Sequence, residues 1–157
     1  MNASIFRSLH HVCIVVRDLE RAVAYFESVG VGPWYEYGAS QPYTELEVPN
    51  PQASKAMRYK CADLDNLQLQ LCDPGELDSP QHRFLRDHGE GVYHLGFEVP
   101  DLSVAEAAAR QLGLAVLARG RRADQSGFCY FDTRARAGVV LEIRRGSHSS
   151  PDEANET

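Results

Sequence analysis

From His11 to Val16 the chain alternates within a mostly apolar run. Val12, Ile14 and Val16 fall on one face of a strand, and His11, Cys13 and Val15 on the other. At Asp18 the period changes. Leu19, Ala22, Val23 and Phe26 recur at helical spacing as far as Gly30, and Asp18 stands where an N-cap belongs. The same writing then returns: setting His94 on His11 carries Val16 to Val99, Asp18 to Asp101, Leu19 to Leu102, Ala22 to Ala105 and Gly30 to Gly113, at a constant offset of 83 with no gap. A match that runs through strand, turn, helix and terminal glycine marks a duplicated supersecondary unit. In the second copy Ser103-x-x-Glu106 reads as a capping box.

The remaining pattern fills out each unit. After Gly32-Pro33, Trp34 to Tyr37 reads as a short strand, and the prolines and polar residues from Ser40 to Ser54 predict a long mobile loop of the kind that covers a site. Ala56 to Ala62 and Leu67 to Leu71 are strands joined by a turn at Asp63 to Asn66. The leucines of the second strand form its packing face, so Gln68 and Gln70 point together to the other side. Ser79-Pro80 opens a bridging helix over about 79–89. Strands are then expected at Ala115 to Ala118, Phe128 to Asp132 and Val139 to Arg144, the last with Val140, Glu142 and Arg144 on one face. The sum is an α+β chain with one domain over 1–146, modules at about 9–74 and 92–145, and a polar tail over 147–157 expected to be disordered.

Composition narrows the function. At 157 residues, 43% hydrophobic, the chain suits one soluble domain, and a net charge of -6 speaks against nucleic acid or an anionic membrane as partner. Its apolar runs are strand-sized and its start lacks a signal-peptide pattern, so membrane spanning and export are not expected, and cytoplasm is the default. Cys13, Cys61, Cys72 and Cys129 form no C-x-x-C pair and read as reduced, buried thiols.

Corresponding places in the two units hold His11 and His94 on the opening strands, and Gln70 and Glu142 on the closing strands, each on the face its strand does not use for packing. Two imidazoles, an amide oxygen and a carboxylate suit Co, Mn, Ni, Fe or Zn as divalent ions, without choosing among them. Singly, each such residue is more often hydrogen-bonded or solvated than a ligand. The joint placement within a repeat is what points to a metal. His10 is adjacent to His11 and expected to point the opposite way, and Gln68 is the alternative to Gln70 if the strand register is shifted by two. Trp34, Tyr35, Tyr37 and Tyr130 either line a cavity or fill the core, with Tyr130 a candidate for substrate contact.

With these residues, Gln70-Leu71-Cys72-Asp73-Pro74 and Phe84 to His94 included, the chain from about Leu9 to Arg145 resembles the vicinal oxygen chelate superfamily, the glyoxalase, bleomycin-resistance and dioxygenase group. The ligand order His, Gln, His, Glu is most like that of its methylmalonyl-CoA epimerase members. The resemblance implies two paired βαβββ modules forming a curved, partly closed mixed sheet around a metal held by His11, Gln70, His94 and Glu142, in a homodimer. It implies an isomerase, epimerase or glyoxalase-like lyase that forms a metal-stabilised enolate of a small, anionic carbonyl substrate, with Glu142 as base. An extradiol-type dioxygenase and a metal-free ligand-sequestering protein are the alternatives. In one respect the chain departs from the epimerases: Arg58 aligns where they carry a second acid/base glutamate. Arg58 and Lys60 share a strand face, which either holds the anionic group of a ligand or lies in solvent.

Overall fold

The computed structural model describes residues 4–37 and 42–146. The first half runs β1 (Ser8–Val15), α1 (Leu19–Ser28), β2 (Tyr35–Glu36), β3 (Tyr43–Glu47), α2 (Pro51–Ala56), β4 (Arg58–Asp63) and β5 (Gln68–Asp73). After the bridging helix α3 (Pro80–His88) come β6 (Gly91–Glu98), α4 (Leu102–Gln111), β7 (Val116–Arg122), β8 (Gly127–Phe131), α5 (Arg134–Ala137) and β9 (Val140–Arg145). The nine strands form one mixed sheet in the order β2-β4-β5-β1-β6-β9-β8-β7-β3. Apart from β3, its halves mirror each other. β1 and β6 meet antiparallel at the centre, and each has its closing strand, β5 or β9, parallel on its outer side.

The two repeat helices, α1 and α4, start at equivalent caps. Asp18 accepts from the Arg21 amide and Asp101 from the Val104 amide, so the carboxylates satisfy one orphan N–H in each first turn. This corrects the capping box: Ser103 lies inside α4, because Asp101 already takes the cap. Glu106 is turned instead to Arg110, Arg119 and Arg121. α1 buries Leu19 against Val16 and Leu71, and α4 buries Leu102, Ala105 and Ala109 against Phe131 and Ile143. Strand alternation sends Cys13 and Val15 to the other face of the sheet, where Phe84 of α3 and Tyr93 pack on them. None of the described helices is long and apolar enough to cross a membrane.

The expected loop from Ser40 to Ser54 is corrected over its described part, which contains β3 and α2. Asn50-Pro51 opens α2 as Ser79-Pro80 opens α3, with the Asn50 side chain accepting from the Ala53 amide. β3 pairs antiparallel with β7, which extends to Arg122, beyond the strand expected from Ala115 to Ala118. β3 is thus at the far edge of the sheet from β2. Glu36 and Tyr43 are seven positions apart, so the two edges lie within roughly 25 Å of each other. The sheet therefore curls toward closure around the face not covered by α1 and α4. The tail over 147–157 lies outside the described residues.

Candidate metal centre and its cavity

Across the central strand pair His11 stands opposite Gly96 and His94 opposite Cys13. Cys13 and Gly96 are themselves equivalent in the repeat, so the two histidines approach across a local pseudo-twofold. Their Nε2 atoms are 2.9 Å apart. Oε2 of Glu142 lies 2.8 Å from Nε2 of His11 and 3.1 Å from Nε2 of His94. All three side chains are buried, at 2%, 1% and 4% exposure. Donors on adjacent corners of an octahedron with bonds of ~2.1 Å are separated by about 3.0 Å. The observed triangle has that size, and Glu142 Oε2 has no conventional hydrogen-bond partner. The three residues thus fit a divalent ion.

The electrostatics keep the set competent to ligate. Burial lowers the pKa of His94, which favours the neutral ring that a ligand requires. Burial alone pushes the Glu142 carboxyl up, but the neighbouring imidazoles of His11 and His94 pull it further down, well below the usual carboxylate range. His10 does not point away from His11 as strict alternation predicts. The ladder to β6 shifts register between Leu9 and His11, and this irregularity brings Nδ1 of His10 to 2.8 Å from Nδ1 of His11. Burial first, then Arg144, lowers the pKa of His10 to about 4. A neutral His10 accepting from His11 Nδ1–H leaves the Nε2 lone pair of His11 for the site.

Gln70 stands opposite Cys13 on β1, as Glu142 stands opposite Gly96 on β6. The two closing residues are therefore equivalent in the ladder as well as in the pattern. Gln70 is 6% exposed and lines the same cavity as His11 and Glu142, with its Nε2 donating to Oε1 of Gln68. Gln68 is engaged with Tyr35 and Asp63. Tyr130 lines the cavity, its ring 5.0 Å from that of His94. Burial, then the Glu142 charge, raises its pKa far above the ordinary value, so its phenol stays neutral.

Arg58 and Lys60 are placed elsewhere. The Arg58 guanidinium is paired with Glu20 of α1, on the helical side of the sheet, and the cavity is lined from this stretch by Met57 and Tyr59. Neither Arg58 nor Lys60 is among the lining residues. The cavity, about 670 Å³, has cations of another origin: Lys55, Arg122, Arg144 and Arg145. Glu142 is the only carboxylate among its described lining residues. Of these cations, Arg144 had a readable signal, since it shares a strand face with Glu142. Lys55 and Arg122 fall in stretches whose strand or helix was not expected. Glu45 and Glu47 turn outward to Arg119 while Leu46 and Val48 line the cavity.

Comparison with known proteins bears on the family and the fold. A sequence profile of the glyoxalase/bleomycin resistance protein/dioxygenase superfamily matches residues 10–131. The chain is 27% identical over 140 residues to the mitochondrial methylmalonyl-CoA epimerase of Bos taurus, covering 87% of this chain and 73% of that one. It is 28% identical over 113 residues to the ethylmalonyl-CoA/methylmalonyl-CoA epimerase of Cereibacter sphaeroides, covering 71% and 75%. The crystal structure of methylmalonyl-CoA epimerase from Mycobacterium tuberculosis superposes with a TM-score of 0.68 at 21% identity, covering 94% and 93% of the two chains, and so shares the fold.

Proposed function

The chain belongs to the glyoxalase/bleomycin resistance protein/dioxygenase superfamily, and we propose that within it the protein is a divalent-metal-dependent isomerase of the epimerase kind, acting on a small acyl substrate that carries an anionic group. The observation that carries this reading is the convergence of His11 Nε2, His94 Nε2 and Glu142 Oε2 in a buried triangle. Gln70 completes the ligand set in the proposal. An ion of Co, Mn, Ni, Fe or Zn held there supplies the positive charge that stabilises an enolate oxygen. Because the set contains one carboxylate and three neutral donors, the protein cancels one of the ion's two positive charges and a net charge of +1 is left for the substrate oxygens.

Glu142 is the group proposed to take the proton from the carbon next to the substrate carbonyl. The C–H electron pair moves toward the carbonyl oxygen; a proton returned by Glu142 to the same face gives exchange without inversion, and inversion takes a proton delivered to the opposite face by a second group or by water. Tyr130, neutral and against His94, packs on the reacting end. The anionic group is met by the cationic wall: in a protein with 22 acidic and 16 basic residues, the described residues around this cavity include four basic side chains and a single carboxylate. The relatives are named as epimerases of methylmalonyl-CoA and ethylmalonyl-CoA, and a substrate of that class satisfies both requirements. The same wall argues against sequestration of a cationic drug.

The test is metal analysis of protein purified without a histidine tag, followed by incubation with methylmalonyl-CoA in deuterium oxide. One ion per chain and metal-dependent exchange at the α-carbon, lost in Glu142→Gln, is the expected result. Exchange that survives complete removal of the ion would refute the metal-dependent reading.

A further inference from the structure

A glutamine ligand has an ambiguity that histidine and glutamate lack. Its amide ends in an oxygen that ligates and an NH2 that does not, and a half-turn about one bond exchanges them. Around Gln70 the surroundings remove that freedom. At the outer end of a chain of side chains stands Asp63, whose carboxylate only accepts hydrogen bonds. The Tyr35 hydroxyl donates to both its oxygens at 2.9 and 3.0 Å. Nε2 of Gln68 donates to Asp63 Oδ1 at 3.1 Å and to the Tyr35 oxygen at 2.9 Å. With its NH2 so committed, Gln68 presents Oε1 inward. That oxygen accepts from Nε2 of Gln70 at 2.7 Å. The NH2 of Gln70 is thereby drawn toward Gln68, and its oxygen is left for the other side, toward the cavity that His11 and Glu142 also line.

We propose that Asp63 and Gln68 are positioning residues that set the Gln70 amide with its oxygen, and not its nitrogen, toward the metal site. The direction of every hydrogen bond in the relay follows from the one member that cannot donate. Tyr35 supports the order: burial first and the Asp63 carboxylate second raise its pKa to about 12, so it remains a protonated donor. Gln68 and Gln70 are two apart on β5 and share a face, while Asp63 is the β4 partner of Gln68, so the sheet itself holds the three in line. The proposal rests on the reading of Gln70 as a ligand beside His11, His94 and Glu142.

The experiment measures Co2+ affinity by competition with a chelator, together with the visible absorption of the Co2+ protein, for the wild type, Gln68→Leu, Asp63→Asn, Gln70→Ala, the double variant Gln68→Leu/Gln70→Ala, and His94→Ala. Loss of an outer partner of a ligand weakens metal binding by ~10-fold or more, and Gln68→Leu is expected to do so. Asp63→Asn, exposed and free of packing consequences, is expected to weaken binding in the same direction, because an asparagine amide can donate and lets the relay reverse. The double variant is expected to bind as Gln70→Ala does, since Gln68 acts only through Gln70. The Co2+ spectrum is expected to shift in Gln68→Leu and in Asp63→Asn toward that of Gln70→Ala. If Gln70→Ala weakens binding while Gln68→Leu and Asp63→Asn bind as the wild type, or if the Gln68 and Gln70 effects add, the relay is refuted and the ligand set stands. If Gln70→Ala binds as the wild type while His94→Ala does not, Gln70 is no ligand. If His94→Ala also retains the ion, the metal centre itself is wrong.

Discussion

Gly96 stands opposite His11, and a Cβ added to Gly96 would run into the His11 imidazole, well inside van der Waals contact. The ring of a candidate ligand thus occupies the space that a missing side chain leaves on the neighbouring strand. At the equivalent place of the repeat the chain has Cys13, a buried side chain of the inner core cluster. The local twofold is therefore broken where the two histidine rings meet. The ring can yield only by leaving the position that sets its Nε2 beside His94 and Glu142. Gly96→Ala is expected to keep the sheet, as a strand residue with ordinary backbone geometry, and to weaken metal binding by at least ~10-fold through displacement of the ring. Circular dichroism and metal titration read the two effects separately. Wild-type affinity in this variant would show that His11 does not hold the ion in this orientation.

Metal removal gives a second check. An ion that binds only the folded chain, present at 100 times its dissociation constant, stabilises by about 2.7 kcal/mol. For a domain of this size that corresponds to a rise in Tm of ~5–10 °C. Adding a chelator is expected to lower Tm by this amount in the wild type and to leave Tm of His94→Ala unmoved. Equal sensitivity of both proteins to the chelator would place the bound ion elsewhere.

Much of this centre is legible in the pattern of residues, because it is written twice. The offset that aligns His11 with His94 also aligns the caps Asp18 and Asp101, and the ladder then sets Gln70 against Cys13 and Glu142 against Gly96. What is written once is harder to read. β3 has Glu45 and Glu47 on its outer face, held by Arg119 of a strand more than seventy residues away, so local polarity resembles a loop and the partner lies out of sight. The approach of His10 to His11 depends on a register irregularity that no alternation foretells. Arg58 illustrates the period of two: adjacent residues face opposite sides, so Met57 and Tyr59 meet the cavity and Arg58 meets α1.

The carboxylate of Glu106 fastens this once-written part of the fold. It is 7% exposed and touches Arg110, Arg119 and Arg121, of which Arg121 is 4% exposed, and Arg119 in turn reaches Glu45 of β3. Glu106→Gln preserves the shape but leaves the buried Arg121 guanidinium without its counter-charge and Arg119 with only the exposed Glu45 and Glu47. Removing one partner of a buried ion pair costs about 3 kcal/mol or more. Urea denaturation is expected to show that loss, with faster amide exchange in β3 than in β1. A change below about 1 kcal/mol would mean that solvent, and not Glu106, neutralises these arginines.

Lys55 and Arg58 are close in sequence and opposite in placement. An anionic group could be met by Arg58, at the position aligned with the epimerases' glutamate, or by Lys55, on the last turn of α2. The first has its guanidinium paired with Glu20 on the helical side of the sheet, where a substrate chelating the ion near His11 does not reach. The second lines the cavity, with no hydrogen bond or ion pair to another described residue. Charge on the wall strengthens binding of an anion in the ground state and the transition state alike, so its removal raises KM and leaves kcat nearly unchanged. Lys55→Ala is therefore expected to raise KM for methylmalonyl-CoA by ~10-fold, the effect of about 1.4 kcal/mol of lost attraction, and the effect is expected to shrink as salt rises. Arg58→Ala is expected to leave both constants unchanged. A rise in KM confined to Arg58→Ala would return the anion site to β4. A fall in kcat in Lys55→Ala, matched in Lys55→Arg, which keeps the charge but cannot give up a proton, would instead make Lys55 a proton carrier facing Glu142.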